Sequence, residues 1–282
     1  MSLWSGGGHF QSNIFSKSAS IKNHYFNLNL YKVCALALLR LYGEVHLVTD
    51  KRGAIFLKKI PFTTVDTSLE NLPKNIDILW SLGKIYTYKI MADKGEPFFH
   101  VDHDLILGSK LPEDFINSEV FASHQEYKAF WEYEVREFYN TIINKYYMKN
   151  ILPEIAYNTC IFGGTDLEFI KHYSSEVMRL SLNEKNIKAI QNHSFPRSWS
   201  PACIIEQYSL SSISALKNKN ITTLLNVSEK EYNTTFSNNT LDEMLDKKFK
   251  ELNCFHLMGK KFSKEDSEEK KFINTVGQKV FN

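Results

Sequence analysis

Asp102 and Asp104 stand one residue apart at the end of the apolar run Phe98-Phe99-His100-Val101, and this pairing of residue type and spacing is the strongest chemical signal in the chain. A short strand over Pro97 to Val101 delivers two carboxylates to its tip, where they can point together into a cleft. Acidic groups are costly to bury without compensation. Carboxylate oxygens are hard ligands suited to Mg²⁺ or Mn²⁺, ions that commonly bind through one or two carboxylates plus substrate phosphates. The plainer reading is that both acids cap the turn that follows. Lys84, in Trp80-Ser81-Leu82-Gly83-Lys84, lies 18 residues before Asp102. It sits on a predicted helix that can pack beside the strand, where its ammonium would meet an anionic ligand from another side. Its plainer reading is a solvated helix lysine.

In order and distance these blocks resemble the DxD-containing glycosyltransferases of GT-A fold, within them the retaining group that includes glycogenin and the bacterial lipopolysaccharide galactosyltransferases. The resemblance runs over about residues 2–262 and has further parts. Asn158 in Tyr157-Asn158-Thr159-Cys160-Ile161-Phe162-Gly163-Gly164 is similar to the family's Asn-x-Gly strand that contacts the donor sugar. Glu206-Gln207 looks like the family's acidic residue and glutamine beside the reacting sugar carbon. His256 and Gly259, followed by Lys260 and Lys261, resemble its C-terminal His-x-x-Gly segment, which adds a metal ligand and a diphosphate contact. Two departures stand out. Thr159 and Cys160 replace a small residue and a glycine, and Phe262 occupies the place of the family's lysine, without the Pro-Trp that follows it there.

The resemblance implies an α/β fold of GT-A (Rossmann-like) type, a mostly parallel sheet flanked by helices with a small C-terminal helical appendage. It implies one domain over residues 1–262 and a charged tail over 263–282. Asp102, Asp104 and His256 would hold Mn²⁺ (or Mg²⁺). Lys84, Asn158, Gly259 and Lys260 would contact a nucleotide-sugar donor, UDP-linked, with Glu206 and Gln207 as catalytic residues. The acceptor would be a glycan or lipid-linked saccharide, and the expected location is the cytoplasm or the inner face of the membrane. Two alternatives stay open: an inverting transferase with Asp166 or Glu206 as base, and a nucleotide-sugar or carbohydrate-binding protein without turnover.

Composition narrows the classes. The 34 Lys and Arg residues against 32 Asp and Glu leave a net charge of +2, too weak a field to imply nucleic acid as a partner. No run of 18 apolar residues predicts a membrane span. Cys34, Cys160, Cys203 and Cys254 are widely spaced without CxxC pairs, which predicts reduced, buried thiols. Asn-x-Ser/Thr sequons begin at Asn220, Asn226, Asn233 and Asn238, as chance predicts in an Asn-rich chain.

The elements that must position these groups follow from periodicity. Ser2 to Ser5 reads as a strand running into a permissive turn at Gly6-Gly7-Gly8, and Leu30, Val33, Ala37 and Leu41 recur at helical spacing over 25–42 before Gly43. Val45 to Thr49 reads as a buried strand ending at Asp50, which is most simply a turn residue. Strand, helix, strand in fifty residues predicts parallel pairing. Further on, helices are predicted over 76–90, 127–147, 166–180 and 241–252, and a strand over 158–164. Residues 218–240 form a polar stretch.

Overall fold

The computed structural model describes residues 1–5, 21–73, 76–127, 132–142, 154–195, 200–237, 240–257 and 271. The Gly6-Gly7-Gly8 turn, Gly259, Lys260, Lys261 and nearly all of the charged tail lie outside the described residues.

The opening pattern is as the periodicity predicts. Strand β1 (Ser2–Leu3) pairs in parallel with β2 (His46–Thr49), and β2 with β3 (Thr64–Asp66). Helix α1 (Ile21–Tyr42) bridges the first two strands. It stops where Gly43 turns to φ +83°, a conformation that costs a residue without Cβ little. Tyr31, Cys34 and Leu38 of α1 pack on Leu3, Leu47 and Val101.

The second half builds on a mixed sheet in the order β4 (Phe98–Val101), β7 (Ile155–Gly164), β6 (Phe121–Tyr127), β8 (Thr222–Thr223). There β4 and β6 run antiparallel to β7, and β8 runs parallel to β6. A third, two-stranded sheet pairs β5 (Leu105–Leu107) antiparallel with β9 (Cys254–His256). The chain is therefore α/β, with its strands in three small sheets that hold three parallel and three antiparallel ladders among the described residues.

Helix α2 (Lys51–Phe56) follows β2, and α3 (Leu82–Asp93) precedes β4. The helix predicted from Ile76 differs: a 3₁₀ turn covers Asp77–Leu79 and α3 starts only at Leu82. The helix predicted over 127–147 is present over Glu132–Thr141 and is corrected at its start, residues 143–147 lying outside the described residues. Tyr127 ends β6, and α5 (Glu132–Thr141) begins after it, the short α4 (Glu113–Ile116) lying upstream. Pairing of Tyr127 with Ile155 of β7 is what takes this residue into the strand.

Helix α6 (Leu167–Ser181) starts at Asp166, whose carboxylate caps Phe169 N at 3.0 Å. Then come α7 (Glu184–Asn192) and α8, which is α-helical over Ser200–Cys203, π-helical over Ile204–Tyr208 and α-helical again over Ser209–Leu216. Helices α9 (Glu229–Ser237) and α10 (Leu241–Glu251) close the fold, and α10 buries Leu245 and Phe249 beside β9. No helix among the described residues is long and apolar enough to cross a membrane.

One core cluster joins α3, α6 and α8 to one face of the mixed sheet, and another joins α1, α10 and the small sheets to its opposite side. Phe162 of β7 lies at the centre of the first, its ring 4.5 Å from Tyr88 of α3 and 5.7 Å from Tyr173 of α6. Next to it, a side chain at Gly163 would run into the Phe98 carbonyl of β4, so glycine permits the close approach of these strands. Phe162→Ala would open a cavity between three elements, with an expected loss of about 3–5 kcal/mol in unfolding free energy. Urea denaturation should show it as a lower midpoint at unchanged slope.

Candidate functional site

Strand β4 ends at Val101, and the next backbone N–H, of Asp102, donates to Cys160 O of β7 at 2.9 Å. This contact fixes the Asp102 side chain at the sheet's end. A turn closed by Leu105 N to Asp102 O at 3.2 Å then brings round Asp104. Pairing of Leu105 with His256 in β5 and β9, together with Leu257 N to Asp104 O at 2.9 Å, places the imidazole beside the second carboxylate. His256 Nε2 stands 3.8 Å from Asp104 Oδ1.

Lys84, in the first turn of α3, reaches Asp102 Oδ2 at 3.0 Å and Glu206 Oε1 at 2.7 Å. Its third contact is the Thr159 carbonyl, at 3.4 Å. Glu206 enters from the π-helical segment of α8. Its carboxylate also accepts the hydroxyls of Thr159 and, at 3.3 Å, Tyr88, while Tyr173 donates to its backbone carbonyl at 2.7 Å. Glu206 and Gln207 are both buried in this segment. Gln207 Oε1 and Asp104 Oδ1 are buried oxygens with no hydrogen-bond partner among the described residues. Each is an acceptor that a ligand would satisfy.

Asn158, buried on β7, donates through Nδ2 to Glu126 Oε1 of β6 at 2.8 Å, and its Oδ1 accepts from Cys160 N at 3.0 Å. The Cys203 thiol registers how near these acids are: burial pushes it up, and the charges of Glu206, Glu126 and Asp102 push it further. All four cysteines are free.

Asp102 and Glu206 thus flank one ammonium, and Asp104 follows two residues after Asp102. Burial, with Asp104 and Glu206 adding to it, lifts Asp102 to about 7 against the pull of Lys84. Burial opposes the charge on Lys84, but Asp102 and Glu206 outweigh it and hold the lysine well above its usual range. The surplus negative charge is what an added cation would relieve. With 24% of the Asp102 and Asp104 side chains exposed, the pair remains reachable from outside.

The expected metal set is brought together only in part. Asp104 and His256 face each other, and donors 3.8 Å apart can share one ion with bonds of about 2.1 Å. Asp102 is turned toward Lys84, and no group of three His, Cys, Asp or Glu side chains among the described residues is arranged to hold a metal ion. His100 supports Asp102 from behind, its Nδ1 3.7 Å from Oδ1 and its Nε2 2.9 Å from Ser2 Oγ. His103 stacks on Tyr31 at 4.3 Å.

Asp166, offered as an alternative base, is excluded from the site: it caps α6 and pairs with Lys219 at 2.6 Å. Asp50 is likewise structural. One oxygen takes the N–H and hydroxyl of Ser5, and the other takes Gly53 N as the N-cap of α2. A cavity of about 450 Å³, lined by Tyr42, Glu44, His46 and Phe98 among others, contains none of the predicted residues.

Sequence reasoning passed over Tyr88, Tyr173 and Glu126. Tyr88 had a usable signal, since it follows Lys84 at i+4 on the same helix face. Tyr173 and Glu126 had none, because their partners come from distant segments.

A proton retained on Asp102 has a measurable consequence. The folded chain keeps it to about 7, while the unfolded chain releases it near 3.8. The stabilising contribution is therefore complete below pH ~4 and is lost as pH rises to ~7. With chelator present, wild-type protein should lose melting temperature relative to Asp102→Asn across that window; parallel pH curves would contradict the assignment.

No curated protein and no solved structure matches the chain. A family model described as a family of unknown function, DUF6734, matches residues 1–279. That match covers nearly the whole sequence, and the chain belongs to the DUF6734 family.

Proposed function

We propose that this chain is a metal-dependent glycosyltransferase of GT-A type that moves a sugar from a nucleoside-diphosphate donor, UDP-linked, to a hydroxyl of a glycan or lipid-linked saccharide, with retention. One observation carries the reading. Residues chosen from separate stretches of sequence meet: Lys84 pairs with Asp102 and Glu206, His256 stands beside Asp104, and Asn158 and Gln207 are the chain neighbours of Thr159 and Glu206, which touch each other.

As the bond to the anomeric carbon lengthens, negative charge grows on the departing diphosphate. Lys84 offers a fixed ammonium to that charge, and preorganised charges of this kind contribute most where charge develops. Asn158 and Gln207 present amides to sugar hydroxyls, and the orphan oxygen of Gln207 is an acceptor waiting for one. Asp104 and His256 are the residues that would hold the cation, with Asp102 joining them once released from Lys84. Bound there, a divalent cation supplies Lewis-acid stabilisation of the diphosphate.

The pairing of Asp102 with Lys84 favours a second reading, a nucleotide-sugar-binding protein that does not turn its ligand over. Purified protein incubated with UDP-sugars and Mn²⁺ separates the two. Turnover of one donor is expected, with Asp104→Asn slower by about 100-fold, or ~2.7 kcal/mol of barrier. Binding without any product favours the second reading, and an Asp104→Asn variant as active as wild type would end the cation role of that residue.

A further inference from the structure

Glu206 carries an unusual load on one oxygen. Its Oε1 receives the ammonium of Lys84 at 2.7 Å, the hydroxyl of Tyr88 at 3.3 Å and the hydroxyl of Thr159. A carboxylate oxygen has two lone pairs, so this atom is saturated, and its three donors hold the carboxylate in one orientation. The same residues fix the lysine. Three N–H bonds of Lys84 point at Asp102 Oδ2, Glu206 Oε1 and the carbonyl of Thr159.

Two of those acceptors are deeply buried, Glu206 at 1% exposure and Thr159 at 1%, whereas Asp102 lies at the open side. The exchangeable contact is therefore the one to Asp102. Tyr88 is fully buried between His100 and Phe162, and burial keeps its phenol protonated well above its usual range, so it remains a donor. Thr159 stands where the sequence departs from the glycosyltransferase pattern of a small residue, and its hydroxyl is the feature that the departure adds.

We propose that Thr159 and Tyr88 are positioning residues which, through Glu206, aim the ammonium of Lys84 at the diphosphate of the donor, and that Glu206 belongs to this clamp instead of reacting with the sugar. The inference rests on the donor-site reading above. It moves Glu206 from beside the reacting carbon to a structural partner of the lysine, and it leaves Gln207 as the member of the pair open to the sugar.

The test is calorimetric binding of UDP, GDP, ADP and inorganic pyrophosphate, each with Mn²⁺, to the full chain. Thr159→Val, Tyr88→Phe and Thr159→Ser are to be compared with wild type, alone and combined with Lys84→Met. Wild type should bind at least one nucleoside diphosphate. For that ligand Thr159→Val and Tyr88→Phe should each raise Kd about 5- to 10-fold, and Thr159→Ser, which keeps the hydroxyl, should stay within about twofold. In the Lys84→Met background the same substitutions should change Kd less than about twofold, because the group they aim is gone.

Losses that add fully to that of Lys84→Met would show a merely structural role and overturn the inference. Equal affinity of wild type, Thr159→Val and Tyr88→Phe would also overturn it, while leaving the donor site standing. Wild type that binds no nucleoside diphosphate would remove the donor site and the inference together. Should Thr159→Val fail to fold, Tyr88→Phe carries the same comparison.

Discussion

The ammonium of Lys84, held between Asp102 and Glu206, is the interaction on which the site depends. It joins the first turn of α3 to the tip of β4, to the middle of α8 and, through the Thr159 carbonyl, to β7. Such groups are held in place by mutual need. Removing one partner of a buried ion pair leaves the other charge uncompensated, at a cost of about 3–5 kcal/mol. With Asp102 and Glu206 on one base and Asp104 adding its charge beside Asp102, the acids outnumber the lysine, which makes the site receptive to a cation.

The core that stabilises the fold is also the frame of this site. Tyr88 and Tyr173 pack on Phe162 through their rings and reach Glu206 through their hydroxyls, so one aromatic layer provides both burial and orientation. The π-helical segment of α8 belongs to the same device. Its carbonyl at Glu206, bonded by Tyr173, is held from outside the helix. Departures from regular helix geometry of this type recur at functional positions, where local regularity is given up for orientation.

Several parts of this were legible in the sequence. Helix α1, its stop at Gly43, strands β2, β4 and β7 and helices α6 and α10 follow from local signals: apolar periodicity, a glycine at positive φ, and Asp166 capping three residues before Phe169. The closeness of Lys84 and Asp102 was also within reach, as a helix and the strand after it. What escaped were elements whose identity depends on partners. Strand β6 was not predicted, and its last residue, Tyr127, was given to the helix that follows, because the strand is defined by its pairing with β7. The serines of α8 at 209, 211, 212 and 214 read as polar although all four are buried.

Residue types and their local order, then, determined by themselves that this chain carries two carboxylates at a strand's end, a lysine on the preceding helix and a run of α/β elements to hold them, because caps, turns and hydrophobic periods are short-range properties. Only the tertiary structure decided which groups meet. It turned Asp102 toward Lys84, set His256 beside Asp104 through the register of β5 and β9, withdrew Asp166 to a helix cap, and put Thr159 and Tyr88 on Glu206. Those outcomes follow from strand pairing and core packing between segments far apart in the chain, and no local pattern encodes them.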